Sequence, residues 1–582
     1  MSASTSTGPS SNSRALMFRL LGMPGSGKTT TMFGPPEDED IDVVAMLDEL
    51  RSDGYEYRDI IVASFTRAHT EELRERYVSA WRDVAEDAEN PDEVYDRLES
   101  SVRTLNSHVL SQLYRGEMFD EDDTVITLKE NYDFYADYFG SRGIEVRYSK
   151  KNPLEMWRNG GLTDSLGNKI LAADQWLVQH CYDLDDVARI PIEIGFPAPQ
   201  VRDFIQGWRD YKQENRCWEH HDYMEYAREW GVIPTGSVAF IDEYQDYAPL
   251  EHAIIKMWRD SGSFDRIVIA GDDAQSIYSF KGAQPVFLMK TPVDEEWVLP
   301  ASYRCRANVA NVCAGILDEP MQTHRTDTMG SASLLQVNRE SDVVDAVMSA
   351  LEQYDDVMLL ARTGRYVGQV ADMLIEAGVP FRSIGERMGE GKERPWADWM
   401  INLAVAMRSI EGNDSPFISR LVADDLVEHL VNSTERRKNM VFHGDTTVDL
   451  RSVIPEVFGS GRDVTTLLDI SEERKDMLRG VMSSDVSLQP DRVKVGTVHS
   501  AKGGQGDCVI LFSGVSNKLR RRYDEDESFR AEENRIWFVG ASRAKYELQV
   551  VPGGLVGPET AQPFSHGLPQ FYVSAEEVVY DE

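Results

Sequence analysis

Cysteine is sparse in this 582-residue chain and forms no motif. Cys181, Cys217, Cys305, Cys313 and Cys508 are scattered, with no CxxC pair and no histidine at zinc spacing. That argues against a disulfide framework or an iron–sulfur cluster and leaves five reduced thiols in packing roles. Long apolar runs are missing too. Nothing approaches the ~20 apolar residues needed to cross a bilayer, and the opening MSASTSTGPSSNSR lacks the apolar core of a signal peptide. A soluble cytoplasmic protein without a membrane partner is expected. Positive charge is the third deficit, with 61 basic against 99 acidic residues and a formal net charge of −38. By itself this shortage speaks against nucleic acid, because phosphate binding normally leaves a basic footprint.

The acid is dispersed, as EDED at 37–40, DEDD at 120–123 and DEDE at 524–527, which reads as a solvated acidic surface. In dilute buffer such charge repels itself. At ~1 M salt the Debye length is about 3 Å and the penalty largely disappears. With lysine scarce relative to arginine, this points to the salt-rich cytoplasm of a halophile.

Hydrophobic residues make up 41% of the chain, enough for several cores. Residues 1–13 are Ser/Thr-rich and expected to be disordered. Beyond them the apolar runs MFRLLG, DIIVAS, VAFID, RIVIAG, VMLLAR, VKVGTV, CVILFS and LQVVP alternate with amphipathic stretches. This is the pattern of α/β domains with parallel sheets. Residues 111–220, aromatic-rich and helical, and 385–487, polar and mostly helical, interrupt the rhythm as insertions.

The run Gly22-Met23-Pro24-Gly25-Ser26-Gly27-Lys28-Thr29 fits G-x-x-x-x-G-K-[ST] between an apolar strand and Thr30-Thr31-Met32. Glycines let backbone N–H groups close around phosphate oxygens, Lys28 neutralises the outer phosphates, and the Thr29 hydroxyl ligates Mg²⁺. Gly34-Pro35-Pro36 soon follows, so the helix after the loop is expected to be short. A second strand ends in Asp242-Glu243, where a carboxylate pair can hold Mg²⁺ through Asp242 and deprotonate water through Glu243. A third leads into Gly271-Asp272-Asp273-Ala274-Gln275 and on to Tyr278, Phe280 and Lys281. Gln275 is placed to sense a γ-phosphate. Tyr278 and Phe280 read either as core or as rings for stacking bases, and the residues alone leave both open.

In order and separation these motifs resemble the UvrD/Rep-like branch of superfamily 1 DNA helicases. Ser64-Phe65-Thr66-Arg67-Ala68 is similar to the family's TFTNKA segment, without its Asn-Lys pair. Val102-Arg103-Thr104-Leu105-Asn106-Ser107 resembles the next DNA-facing motif, with Asn106 where His is usual. His221-Asp222-Tyr223 resembles the element before the acidic strand, and Ser302-Tyr303-Arg304 the N-Y-R element. Leu359-Leu360-Ala361-Arg362-Thr363 resembles the segment ahead of the second insertion. Thr497-Val498-His499-Ser500 through Gly506 resembles the fifth motif, with Gln505 at its acidic position; Glu532-Glu533-Asn534-Arg535 through Arg543 resembles the sixth. The family's upstream glutamine is absent.

The resemblance implies two RecA-like motor domains, each with a mainly helical insertion: 14–110 with 221–295, interrupted by 111–220, and 296–384 with 488–582, interrupted by a short 385–487. It implies ATP and Mg²⁺ held against Gly22, Gly25, Ser26, Gly27, Lys28, Thr29, Thr30, Asp242, Glu243, Gln275 and Arg304, with Arg543 as arginine finger. It also implies single-stranded DNA, and its junctions with duplex, contacted by Phe65, Thr66, Thr104, Tyr278, Phe280, Lys281, Thr497 and His499, with 3′-to-5′ movement. A monomer or weak dimer is expected. The competing readings are a translocase that displaces proteins without unwinding, and a non-catalytic DNA-binding factor. Arg520-Arg521-Arg522, beside DEDE, reads as a surface loop.

Overall fold

All eight apolar runs are strands, and they occupy the interior positions of two six-stranded parallel sheets in the computed structural model. The structure describes residues 14–35, 45–158, 165–384, 396, 398–411, 417–443, 446–460, 463–482 and 489–552. The expected disordered start and the EDED run lie outside them. The chain divides into two compact units, Met1–Tyr303 and Arg304–Glu582. The expected α/β architecture with parallel sheets is present in both.

In the first unit the strand order is Val102–Thr104, Ile60–Ser64, Val238–Ile241, Arg266–Gly271, Leu16–Gly22, Glu295–Leu299. Alternate residues of the central strands feed two cores. Ile61, Ala63, Ile241, Ile267 and Ile269 pack on one face, and Ile60, Val62, Phe240, Val268 and Ala270 on the other. Burial on both faces is why these strands read as continuous apolar runs and not as alternating ones.

Strand Glu295–Leu299 pairs with Leu16–Gly22, so the first unit continues past the division expected after residue 295. Its half-exposed sequence EEWVL carries no apolar run to announce it. The first insertion is helical, with helices Tyr132–Gly140, Leu166–Gln179 and Ala198–Glu214. Its core is built around Trp208, whose ring centroid lies 5.0 Å from Tyr135, 5.2 Å from Tyr138 and 5.4 Å from Phe139.

In the second unit the order is Ser331–Leu334, Ala544–Val551, Gly506–Phe512, Val357–Ala361, Val493–Thr497, Arg382–Ile384. The described part of the second insertion holds helices such as Asp398–Glu411 and Glu472–Met482. It also holds a three-stranded antiparallel sheet, Phe417–Ser419, Thr447–Asp449 and Val441–His443. No strong strand signal marks these in the sequence, because three residues are too few to show a period. Arg520–Arg522 belong to helix Asn517–Glu525 and not to a loop; Arg520 pairs with Asp524 one turn on, and the Arg522 guanidinium lies over Phe529. The DEDD run is not wholly solvated either. Asp123 is buried, accepting from Trp218 Nε1 at 2.7 Å and pairing with Arg216 at 2.5 Å.

Candidate functional site

Parallel strands deliver their carboxyl ends to one edge of a sheet, and in the first unit that edge gathers five predicted segments. Strand Leu16–Gly22 turns through Gly25 (φ 69°) and Gly27 (φ 89°) into helix Lys28–Phe33, which stops after six residues, as the following Gly-Pro predicted. A Cβ on Gly22 would meet Ser26 Oγ at 2.2 Å and Leu299 Cβ and Lys28 Cγ at 3.2 Å, so a larger residue would displace the side chains packed around the loop. Lys28 Nζ donates to Gly22 O at 2.6 Å. The loop is braced by Ser302 Oγ, donating to Pro24 O at 2.7 Å, and by Tyr303 N, donating to Gly25 O at 2.7 Å. Thr30 Oγ1 accepts from Arg76 Nη2 at 3.1 Å.

Asp242 follows strand Val238–Ile241 and is buried, and its Oδ1 has no hydrogen-bond partner. Burial, reinforced by the charge of Glu243 and opposed by Lys28, pushes its carboxyl up to about 7. Asp272 is pushed up to about 6 by burial, again opposed by Lys28, so one ammonium group serves both acids. A buried carboxylate that is hard to ionise and has a vacant oxygen suits a divalent cation, and the buried Ser26 hydroxyl is likewise without a partner. The residues therefore fit Mg²⁺. Glu243 is left-handed (φ 54°, ψ 38°), a conformation costly outside glycine and typical of functional sites.

Two residues that sequence reasoning passed over join these groups. Gln245, fully buried, donates to Glu243 Oε2, and its Oε1 accepts from Asp272 N at 3.1 Å. Asp272 accepts from Gln275 Nε2 at 2.7 Å. A Cβ on Gly271 would stand 2.3 Å from Gln245 Oε1, so the third strand needs glycine where it meets this network. His69 Nε2 lies 4.0 Å from Glu243 Oε1. The available signal was the amide of Gln245, three residues past Asp242 in the run Asp242-Glu243-Tyr244-Gln245-Asp246.

The aromatic residues also converge. Phe65 lies 5.2 Å from Tyr278, which lies 5.9 Å from Phe280, and Lys281 Nζ is 5.3 Å from the Phe65 ring and 5.0 Å from that of Tyr278. Tyr278 is buried whereas Phe65 and Phe280 are half-buried, so the latter two present ring surface. Thr66 and Thr104 cap helices, accepting from His69 N and Ser107 N, both at 3.3 Å.

In the second unit Arg304 and Arg543 meet at Ser542. Arg304 Nη1 donates to Ser542 O at 3.3 Å and Nε to Gln505 Oε1 at 3.0 Å. Arg543 is buried and donates to Val539 O, Gly504 O and Ser542 Oγ at 2.9, 3.2 and 3.1 Å. Gln505 therefore accepts from an arginine at the position where the family has an acid. Thr497 Oγ1 accepts from Ser500 N at 3.1 Å, and His499 is half-buried in the same turn. Arg362 and Glu533, quoted in the motifs but given no role, form a two-bond ion pair at 2.9 and 2.6 Å.

Comparison with known proteins gives two family matches. Residues 235–294 match the UvrD/REP helicase N-terminal domain, and residues 448–551 match the UvrD-like helicase C-terminal domain. A probable DNA helicase II homolog of Rickettsia conorii is 22% identical over 391 residues, covering 53% of this chain and 60% of that protein. DNA helicase II of Haemophilus influenzae is 25% identical over 324 residues, 50% of this chain and 40% of that protein. The ATP-dependent DNA helicase Rep of Buchnera aphidicola is 20% identical over 406 residues, 54% and 62% respectively. The chain thus spans less than two thirds of the curated relatives it matches.

Proposed function

We propose that this chain, with UvrD/Rep-type helicase segments in both of its units, is a DNA-dependent ATPase that moves along single-stranded DNA and unwinds duplex. The observation that carries the reading is one sheet edge bearing both Lys28 with the Asp242–Glu243 pair and, beside it, the Phe65–Tyr278–Phe280–Lys281 cluster. Lys28 and the loop N–H groups would hold the phosphates, and Thr29 and Asp242 would hold Mg²⁺, which when bound draws charge off the phosphate oxygens. Glu243, oriented by Gln245, takes the proton of the attacking water on its carboxylate. Gln275, held by Asp272, is positioned to report the outermost phosphate to the following loop, which carries the aromatic cluster.

Arg304 and Arg543, anchored together at Ser542, are the cations we assign to the transferred charge, with Arg543 as the finger. Phe65 and Phe280 stack bases, worth about 1–3 kcal/mol each and tolerant of sequence. We assign Thr66, Thr104, Thr497 and His499 to the same strand's path. Family resemblance supplies the 3′-to-5′ direction, and the net charge of −38 supports work in concentrated salt.

The test is ATP hydrolysis with and without single-stranded DNA, in low and in multimolar KCl. DNA should stimulate the unsubstituted chain, and Lys28→Ala should lower turnover by at least about 100-fold. No stimulation at any salt concentration would overturn the motor reading. Unwinding of a tailed duplex by the stimulated enzyme then separates a helicase from a translocase.

A further inference from the structure

A cavity of about 290 Å³ in the first unit lies apart from the phosphate loop, between the helical insertion and the motor sheet's own helices. Leu128 and Pro153 of the insertion face it, as do Met224, Ala248 and Leu250 of the motor side. Lys129, Lys150 and Lys151, all exposed, stand around it. In a chain where acid outnumbers base 99 to 61, three lysines against the one exposed acid of the lining, Glu130, are a local reversal of sign. An apolar wall beneath a basic rim suits a ligand that is flat and apolar at one end and anionic at the other.

The inner acids do not contradict this. Glu219 is already committed, its Oε2 accepting from Lys212 Nζ at 3.0 Å and Trp208 Nε1 at 3.2 Å, its Oε1 from Tyr135 at 3.1 Å. Glu251 Oε2 accepts from Ala248 N at 2.6 Å, and burial pushes its carboxyl up to about 7, so near neutral pH it carries only part of the charge that would repel phosphate. The cavity also adjoins the aromatic cluster. Gly282, which follows Phe280 and Lys281, is seated so that a Cβ would lie 2.7 Å from Gln179 Oε1 and 3.3 Å from Ala248 Cβ, and both residues line the cavity.

We propose that this cavity receives one nucleotide, its base against Leu128, Met224 and Leu250 and its phosphate at Lys129, Lys150 and Lys151. The inference rests on the single-stranded DNA reading, since the adjoining cluster would present the strand from which that nucleotide swings out. The volume sits near the lower end of the ~300–1,000 Å³ usual for small-ligand pockets, room for a single unit and no more. Swinging a base out of a flexible single strand costs less than extracting it from duplex. Salt screens its phosphate contacts but not the apolar burial of its base, which suits a concentrated-salt solvent.

The test measures binding of a labelled oligodeoxynucleotide, and separately of a deoxynucleoside monophosphate, to the full chain without ATP from 0.2 to 2 M KCl. A 2-aminopurine in the strand reports unstacking. In Lys129→Ala/Lys150→Ala/Lys151→Ala the oligonucleotide should bind about tenfold more weakly at the lowest salt, with the log–log salt slope reduced by about 0.7, the share of one phosphate contact on a single strand. The rise in 2-aminopurine emission should be lost, while Lys256→Ala/Lys290→Ala changes neither. Weakened binding of the oligonucleotide alone identifies a strand-borne nucleotide, and weakened binding of both identifies the free nucleotide as an equal occupant. Unchanged affinity and slope in the triple variant overturn the cavity proposal, and if Phe280→Ala still weakens binding the motor reading stands without it. Failure of the unsubstituted chain to bind any oligonucleotide overturns both.

Discussion

Asp242 carries the most informative chemistry of any single residue. Its carboxyl is raised from 3.8 to about 7 by burial and by Glu243, so the folded chain holds that proton more tightly than the unfolded chain does. The resulting stability is fully present below pH 3.8 and is lost as pH rises through about 7. Asp242→Asn cannot ionise, so in metal-free buffer it should melt higher than the parent at pH 8, with the gap closing toward pH 4. Added Mg²⁺ should raise the melting temperature of the parent at pH 8 and leave Asp242→Asn nearly unmoved. Thermal scans at the two pH values, with EDTA or Mg²⁺, check both. Equal melting temperatures at pH 8 without metal would mean that Asp242 is not held in this environment.

Among elements, the join between strand Val357–Ala361 and helix Glu527–Ala541 in the second unit rests on Arg362 and Glu533. Glu533 is 1% exposed, so losing its partner leaves a carboxylate with neither water nor countercharge. Arg362→Ala should cost about 3–5 kcal/mol in urea unfolding, whereas replacing both residues with methionine should cost much less, because no charge is then stranded. Parity between the single and double variants would show that the pair contributes by packing alone. In the first insertion Lys212 plays the same part on a larger scale, donating to Asp174, Glu219 and Asp222 at 3.4, 3.0 and 2.7 Å. His221 also lies against these carboxylates, 3.4 Å from Asp222, so the element before the acidic strand is tied to the insertion through buried charge.

At the scale of the whole molecule the governing quantity is the net charge of −38. Self-repulsion over a surface falls with the Debye length, from about 10 Å at 0.1 M to about 3 Å at 1 M. The melting temperature should therefore climb steadily between 0.1 and 2 M KCl, and DNA-stimulated hydrolysis should persist across that range. A melting temperature that is flat or falling with KCl would remove the argument for a concentrated-salt habitat. Among the described residues no helix is long and apolar enough to cross a membrane.

The linear chain determined the interior of both sheets and the spacing of the glycines, lysine and carboxylates proposed to act at the edge of the first. Central parallel strands are buried on two faces and must be apolar throughout, and a phosphate loop needs its glycines and lysine at one spacing, so both are written locally. The four large-sheet strands absent from the apolar runs, Val102–Thr104, Glu295–Leu299, Ser331–Leu334 and Arg382–Ile384, are the outer strands of the two sheets. An outer strand has a neighbour on one side and little buried surface, so nothing obliges it to be an apolar run. The tertiary structure alone decided that Tyr278 is buried while Phe65 and Phe280 present ring surface, that Gln245 joins Glu243 to Asp272, and that three lysines far from the motifs surround one cavity. Those outcomes depend on which residues distant in sequence are brought together, and spacing along the chain holds no record of that.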